Sequence, residues 1–155
     1  MSKSWKFIIA IIICEGVGIL GSVFTLSQIP TWYVTLNKPF FSPPSFVFGP
    51  VWTILYALMG ISIVLALGKA PKKKKSLIFS LFGLQLFLNF LWSVVFFTGH
   101  QPVLALIDIA VLWGVILALI LIFRKYSMNA ALLLIPYLLW VSFASILNLS
   151  IALLN

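Results

Sequence analysis

Long apolar runs alternate with short polar connections along most of the chain. Each run has about 20 residues or more, and at about 1.5 Å per residue a helix of that length crosses the roughly 30 Å hydrocarbon core of a bilayer. Only helices satisfy their own backbone hydrogen bonds in lipid at this length and apolarity. The pattern therefore predicts an all-α fold, in which residues 1–155 form a single domain that is an integral membrane five-transmembrane-helix bundle, with spans at about 7–26, 46–67, 77–97, 103–123 and 130–154.

The connection at about residues 27–45, here called loop 1, is much longer than the others. Loops of this length in compact proteins are often lids or binding elements, and Trp32 and Tyr33 argue that this one is ordered. Loop 1 is therefore a candidate lid or binding element, long enough to fold back over another part of the protein. Pro50, a little further on, is expected to distort the second turn of the next helix, just before Trp52.

Composition and charge agree with a membrane protein. The chain is 63% hydrophobic and 8% charged, far from the averages of soluble domains. Of its ten Lys and Arg residues, all except Lys38 fall on one side of the predicted membrane, which predicts a cell-membrane protein with a cytoplasmic N-terminus and an external C-terminus. The run Lys72–Lys75 is interpreted as a solvated turn near anionic headgroups, so nucleic-acid binding is not expected from the net charge of +8.

Three spans each carry aromatic or amide side chains at four-residue spacing, which places them on one helix face. These are Trp52 and Tyr56 in the second span, Gln85, Asn89 and Ser93 beside Trp92 in the third, and Trp140, Ala144 and Asn148 in the fifth. One interpretation is hydrogen bonding and packing between helices. The other is a pocket for a flat, largely apolar ligand, because buried indole and amide groups need hydrogen-bond partners.

Few other residues carry chemistry. Glu15 and Asp108 are the only acids and both lie within spans, where a carboxyl group is either neutral and hydrogen-bonded or part of a proton or ion pathway. With one histidine, His100, and one cysteine, Cys14, neither a metal site nor a disulfide within the chain is expected. The glycines at 16, 18 and 21 match a dinucleotide-binding spacing without the required strand, and instead favour close helix contacts.

Three segments resemble the translocator protein family, also called the TspO, tryptophan-rich sensory protein or peripheral-type benzodiazepine receptor family. They read WYVTLNKPFFSPPSFVFGPVWTILY, QLFLNFLWSVVFF and PYLLWVSFASILNLSIALLN. The resemblance extends over essentially the whole chain and is to the bacterial-type members. It implies five transmembrane helices, a homodimer, and a ligand cavity that the first loop closes.

The resemblance also implies ligands and site residues. Family members bind porphyrins, including protoporphyrin IX, and isoquinoline or benzodiazepine drugs, without a required cofactor. By this likeness Trp52 and Trp140 flank the ring, Tyr33 covers it, and Asn89 and Asn148 donate hydrogen bonds. Lys38 is the base expected near the propionates. The ligand-binding residues implied are Tyr33, Trp52, Asn89, Trp92, Trp140, Ala144 and Asn148.

Two functions remain open from the resemblance. One is light- and oxygen-dependent breakdown of bound protoporphyrin IX, with Trp52 and Trp140 as the catalytic pair. The alternative is transport or sensing of porphyrins or other flat hydrophobic ligands without chemistry. Cholesterol binding is not expected, because no Lys or Arg follows Tyr137, as the pattern in animal members requires.

Overall fold

The computed structural model describes residues 3–155, and they form five long helices with no strand. All five helices are long and apolar enough to cross a membrane, so the predicted all-α transmembrane fold class is confirmed. The helices are α1 Lys3–Leu26, α2 Phe48–Lys69, α3 Lys72–Ser93, α4 Pro102–Phe123 and α5 Met128–Leu154. A π-helical turn, Val94–Thr98, extends α3, and Tyr33–Thr35 and Ser45–Val47 form 3₁₀ turns.

The helices close into a ring whose order differs from the order in the chain. Helix α1 packs against α2 and α3, α2 packs against α5, and α4 lies between α5 and α3. The ring therefore runs α1, α2, α5, α4, α3. Because consecutive helices are antiparallel, the ends of α1, α3 and α5 share one end of the bundle with loop 1 and the start of α2. The second half of α5 thereby comes to face the first half of α2.

Helix α4 supplies much of the apolar core, whereas α1 stands largely outside it. Ile109, Leu112 and Ile116 of α4 are at most 3% exposed. On α1 the large apolar side chains, such as Ile12 and Leu20, are exposed on the outer surface of the bundle. Since lipid tails are as apolar as these side chains, burial alone holds α1 weakly in a bilayer, and its attachment depends on close packing.

Close packing of α1 occurs at two glycines. A Cβ atom on Gly60 of α2 would lie 2.7 Å from the backbone Cα of Ile11, and a Cβ atom on Gly18 of α1 would clash with the Tyr56 ring. The prediction of close helix contacts is therefore confirmed at Gly18, whereas Gly16 faces open space. Without a Cβ at these positions the two helices approach more closely than ordinary side chains allow.

Two local predictions were wrong because α2 and α3 begin at residues other than those expected. Helix α2 begins at Phe48, after the 3₁₀ turn Ser45–Val47, so Pro50 lies in its first turn, where a missing N–H costs little. The expected distortion of the second turn before Trp52 is thus not required. The lysines of the run Lys72–Lys75 belong to the first turn of α3 instead of forming a turn between helices.

Candidate functional site

A cavity of about 340 Å³ lies at the loop 1 end of the bundle, between α1, α2, α3 and α5. Its lining is predominantly apolar and aromatic, which suits a flat ligand. The structure brings all the residues predicted to bind ligand to this one cavity. They are Tyr33, Trp52, Asn89, Trp92, Trp140, Ala144 and Asn148.

Helices α2 and α5 build one aromatic wall of the cavity. Phe48, Trp52 and Tyr56 follow one another at four-residue spacing, so they share a face of α2. The ring of Phe48 meets that of Trp140 on α5 edge to face, with centroids 6.0 Å apart. Trp52 meets Tyr137 in the same way at 6.1 Å. Edge-to-face contacts hold these rings in fixed orientations and leave other ring surface for a ligand.

The wall on α3 is built around Trp92, whose ring stacks on Phe96 with centroids 5.1 Å apart. The Trp92 indole N–H donates to Asn148 Oδ1 at 3.0 Å, and Asn148 Nδ2 donates to the Pro102 carbonyl at 2.7 Å. Asn148 therefore joins α3, α4 and α5 and orients Trp92. Its amide was expected to bond the ligand, but in the structure both amide atoms already have partners within the protein.

Asn89 lies at the centre of a buried hydrogen-bond chain. The Tyr56 hydroxyl donates to Asn89 Oδ1 at 2.7 Å, and Asn89 Nδ2 donates to the Tyr137 hydroxyl at 2.8 Å. That hydroxyl in turn donates to Gln85 Oε1 at 2.9 Å. This hydrogen-bond chain connects α2, α3 and α5 at the inner end of the cavity. It also pairs the Asn89 amide, the second amide that was expected to hydrogen-bond the ligand.

Two buried polar atoms of cavity-lining residues have no hydrogen-bond partner among residues 3–155: the Trp140 indole nitrogen and the Tyr33 hydroxyl oxygen. Buried polar groups are normally paired, because an unpaired one loses its hydration without compensation. Burial raises the pKa of the Tyr33 phenol above its ordinary value, and the nearby Ser42 side chain offsets this only in part, so the group stays neutral. Both atoms are fully buried, so a ligand acceptor would reach them only if neighbouring side chains shifted.

Loop 1 lies against the cavity through Tyr33, whose ring packs near Phe96 and Phe97 with centroids 6.5 and 5.7 Å away. Lys38 Nζ donates to the carbonyl oxygens of Tyr33 and Leu36 and stands 4.7 Å from the centroid of the Tyr33 ring. Lys38 therefore stabilises the loop, and its side chain is not part of the cavity lining where the propionates were expected.

Contacts at two places hold loop 1 to the bundle. Trp32 stacks on His100 in the α3–α4 connection, with centroids 4.4 Å apart, and His100 Nε2 shares a hydrogen bond of 2.9 Å with Gln28 Oε1. Near the middle of the loop, the Asn37 N–H donates to Asn155 Oδ1, and Asn155 Nδ2 donates to the Asn37 carbonyl, each at 3.0 Å. Movement of loop 1 as a lid requires these contacts to break.

The chain is similar to known proteins over nearly its whole length. The model of the TspO/MBR family matches residues 10–154. The chain belongs to this family. It is 45% identical to the tryptophan-rich protein TspO of Chlorobaculum tepidum, over 92% of this chain and 91% of the relative. Identity to the protein of the same name from Archaeoglobus fulgidus is 43%, covering 97% of each chain. The translocator protein of Homo sapiens is 33% identical over 96% of this chain and 89% of its own.

This TspO/MBR family member also has cavity residues that the sequence reading missed. Glu15 and Gly18 of α1 and Phe96 of the π-helical turn all line the cavity. Glu15 and Gly18 are one helical turn apart, so an acid and a glycine on one face of a span gave a usable signal. Phe96 follows Trp92 by four residues and so carried the same spacing signal, although the π-helical turn that places it could not be recognised from the sequence. No cluster of three or more metal-ligating side chains occurs within residues 3–155.

Proposed function

We propose that this membrane protein binds planar tetrapyrroles, with protoporphyrin IX as the first ligand to test, in the cavity at the loop 1 end. The observation that carries the proposal is that indoles from three helices, Trp52, Trp92 and Trp140, line one cavity. Indole rings give a flat ligand large contact areas and favourable stacking geometry. The relative named translocator protein is consistent with a receptor or carrier role.

The unpaired donors refine this proposal. The Trp140 N–H and the Tyr33 hydroxyl would bond acceptor atoms of the ligand, while Asn89 and Asn148 hold the walls in place. The tetrapyrrole is the ligand of this site, and binding requires no resident cofactor. Other flat apolar molecules with an acceptor atom, including isoquinoline- and benzodiazepine-like compounds, would use the same walls and donors.

Replacing Trp140 with alanine is expected to weaken protoporphyrin IX binding about 5- to 150-fold, because a lost aromatic stacking partner of a planar heterocycle costs about 1–3 kcal/mol. Trp52→Ala should act similarly. Binding is measured by the absorption shift of the porphyrin on titration with purified protein. Trp113→Ala is the matched control, since Trp113 lies on α4, outside the cavity, and donates to Ser142. Equal affinity in all three variants contradicts the proposal.

A second function is light-dependent oxidation of the bound ring, favoured by the presence of Trp52 and Trp140 in the same cavity. Light-excited porphyrin can take an electron from a neighbouring indole, with oxygen as the terminal oxidant. Illuminated in air, the protein is expected to bleach protoporphyrin IX to a defined product. Trp52→Phe and Trp140→Phe should abolish that product although porphyrin still binds. Unchanged product formation in both variants, or formation without oxygen, would refute this chemistry.

Transport or sensing without chemistry is the alternative. A porphyrin-flux assay in liposomes distinguishes a carrier from a receptor, because a receptor moves no ligand across. We further propose a cell-membrane location with the lysine-rich end in the cytoplasm, which follows from the one-sided distribution of Lys and Arg. In that orientation loop 1 and the cavity face outward. A homodimer, which the family resemblance implied, stays a prediction.

A further inference from the structure

Helix α1 places one carboxyl group in the cavity wall. Glu15 lines the cavity together with Gly18, one helical turn nearer the loop 1 end. Gly18 faces the Tyr56 ring, so this face of α1 looks towards the aromatic face of α2. Among the α1 residues of the lining, Glu15 is the furthest from loop 1 along the helix. Glu15, which is partly exposed, therefore lies at the inner end of the cavity.

No positive group accompanies this carboxyl group. The cavity lining contains no Lys, Arg or His from residues 3–155. Lys38, on loop 1, is already bonded to two backbone carbonyls. Asp108, the other acid of the chain, lies on α4 and does not line the cavity. The cavity thus combines aromatic rings with a single carboxyl group and lacks a cation that would attract an acidic ligand.

This combination favours a positively charged guest. An intramembrane carboxylate is costly unless it is paired, and a ligand that brings a protonated nitrogen provides the missing partner. The faces of Trp52 and Tyr56 attract cations as well, through their ring quadrupoles. A ligand carboxylate at the same place would meet like charge. These interactions at the inner end of the cavity would favour a cation over an anion of the same shape.

We propose that Glu15 binds the protonated nitrogen of a planar aromatic ligand, so that the cavity prefers flat cations over flat anions of the same shape. The proposal rests on the proposed function of this cavity as a site for planar ligands, and it adds the ligand's charge and orientation. A tetrapyrrole with carboxylate side chains would have to bind with those groups towards loop 1, away from Glu15.

The test uses three anthracene probes that differ only in one substituent: 9-anthracenylmethylammonium, 9-anthracenemethanol and 9-anthracenecarboxylate. The full-length protein is placed in nanodiscs of neutral phosphatidylcholine, and empty nanodiscs correct for partition into lipid. Quenching of tryptophan fluorescence reports binding. The ammonium is expected to bind about tenfold more tightly than the alcohol, as for a hydrogen bond to a charged group, and the carboxylate most weakly.

In Glu15→Gln the ratio of ammonium to alcohol affinity should fall from about tenfold to about one. Asp108→Asn is the matched control and should keep the wild-type ratio, since it removes the other acid outside the cavity. If the alcohol binds but Glu15→Gln keeps the ammonium preference, the role of Glu15 is refuted and the planar-ligand site stands. If none of the probes binds and protoporphyrin IX does not bind either, the proposed function fails together with this inference.

Discussion

Asn89→Leu will lower the melting temperature of the protein by about 5–10 °C. Leucine has a similar volume, so the substitution removes hydrogen bonds without leaving a large void. The Tyr56 hydroxyl loses the partner it has in the structure, and the Tyr137 hydroxyl loses one of two. An orphaned buried hydroxyl costs about 1–3 kcal/mol, and 1 kcal/mol corresponds to about 2–4 °C in a chain of this size. Thermal unfolding in detergent, followed by circular dichroism, measures the shift.

A double variant separates the hydrogen bond from the packing of Asn89. In Tyr56→Phe/Asn89→Leu both partners become apolar, so the orphaned hydroxyl disappears and the loss should be smaller than the sum of the two single losses. Ser80→Leu is the control on the same helix, because Ser80 is exposed on the surface of the bundle. If the losses of melting temperature are strictly additive, the buried hydrogen bond between Tyr56 and Asn89 contributes little to stability. Asn89 would then act through the packing of its side chain alone.

Gly60→Val is expected to detach α1 from α2. The new Cβ would stand 2.7 Å from the Cα of Ile11, and a backbone atom cannot turn aside as a side chain does. Overpacking of this kind costs about 1–3 kcal/mol, which should raise the population of the opened state on the order of tenfold. Cys14 reports the opening: it is the single cysteine and only 1% exposed, so its labelling by a membrane-permeant maleimide should accelerate accordingly.

The same variant links packing to the cavity. Helix α1 carries Glu15 and Gly18 in the cavity wall, so its displacement should also weaken protoporphyrin IX binding. Gly68→Val is the matched control, because a Cβ at Gly68 on the same helix meets no atom within 4 Å. Unchanged Cys14 labelling in Gly60→Val, or equal acceleration in Gly68→Val, would show that the contact with Ile11 does not hold α1 in place.

Much of the candidate site could be predicted, because the signal lies in the spacing of residues within single helices. Side chains four residues apart share a helix face, so the stripes containing Trp52, Asn89 and Trp140 were recognised from spacing alone. The lining of a single cavity by all three agrees with that prediction. The hydrogen-bond partners of the amide side chains could not be predicted in this way. Asn89 has partners 33 and 48 positions away, and spacing within one helix carries no information about them.

The sequence by itself determined the five helices, their membrane character and the polar faces of α2, α3 and α5, because apolar length and helical period are properties of contiguous residues. Only the tertiary structure decided the ring order, which makes α1 a wall of the cavity and brings Glu15 into it. It also decided that Asn89 and Asn148 hold the walls, while Trp140 and Tyr33 keep unpaired donors. These outcomes depend on contacts between residues that are far apart in the sequence. Such contacts are determined by close packing and by the pairing of buried polar atoms, and both require all five helices to be in place.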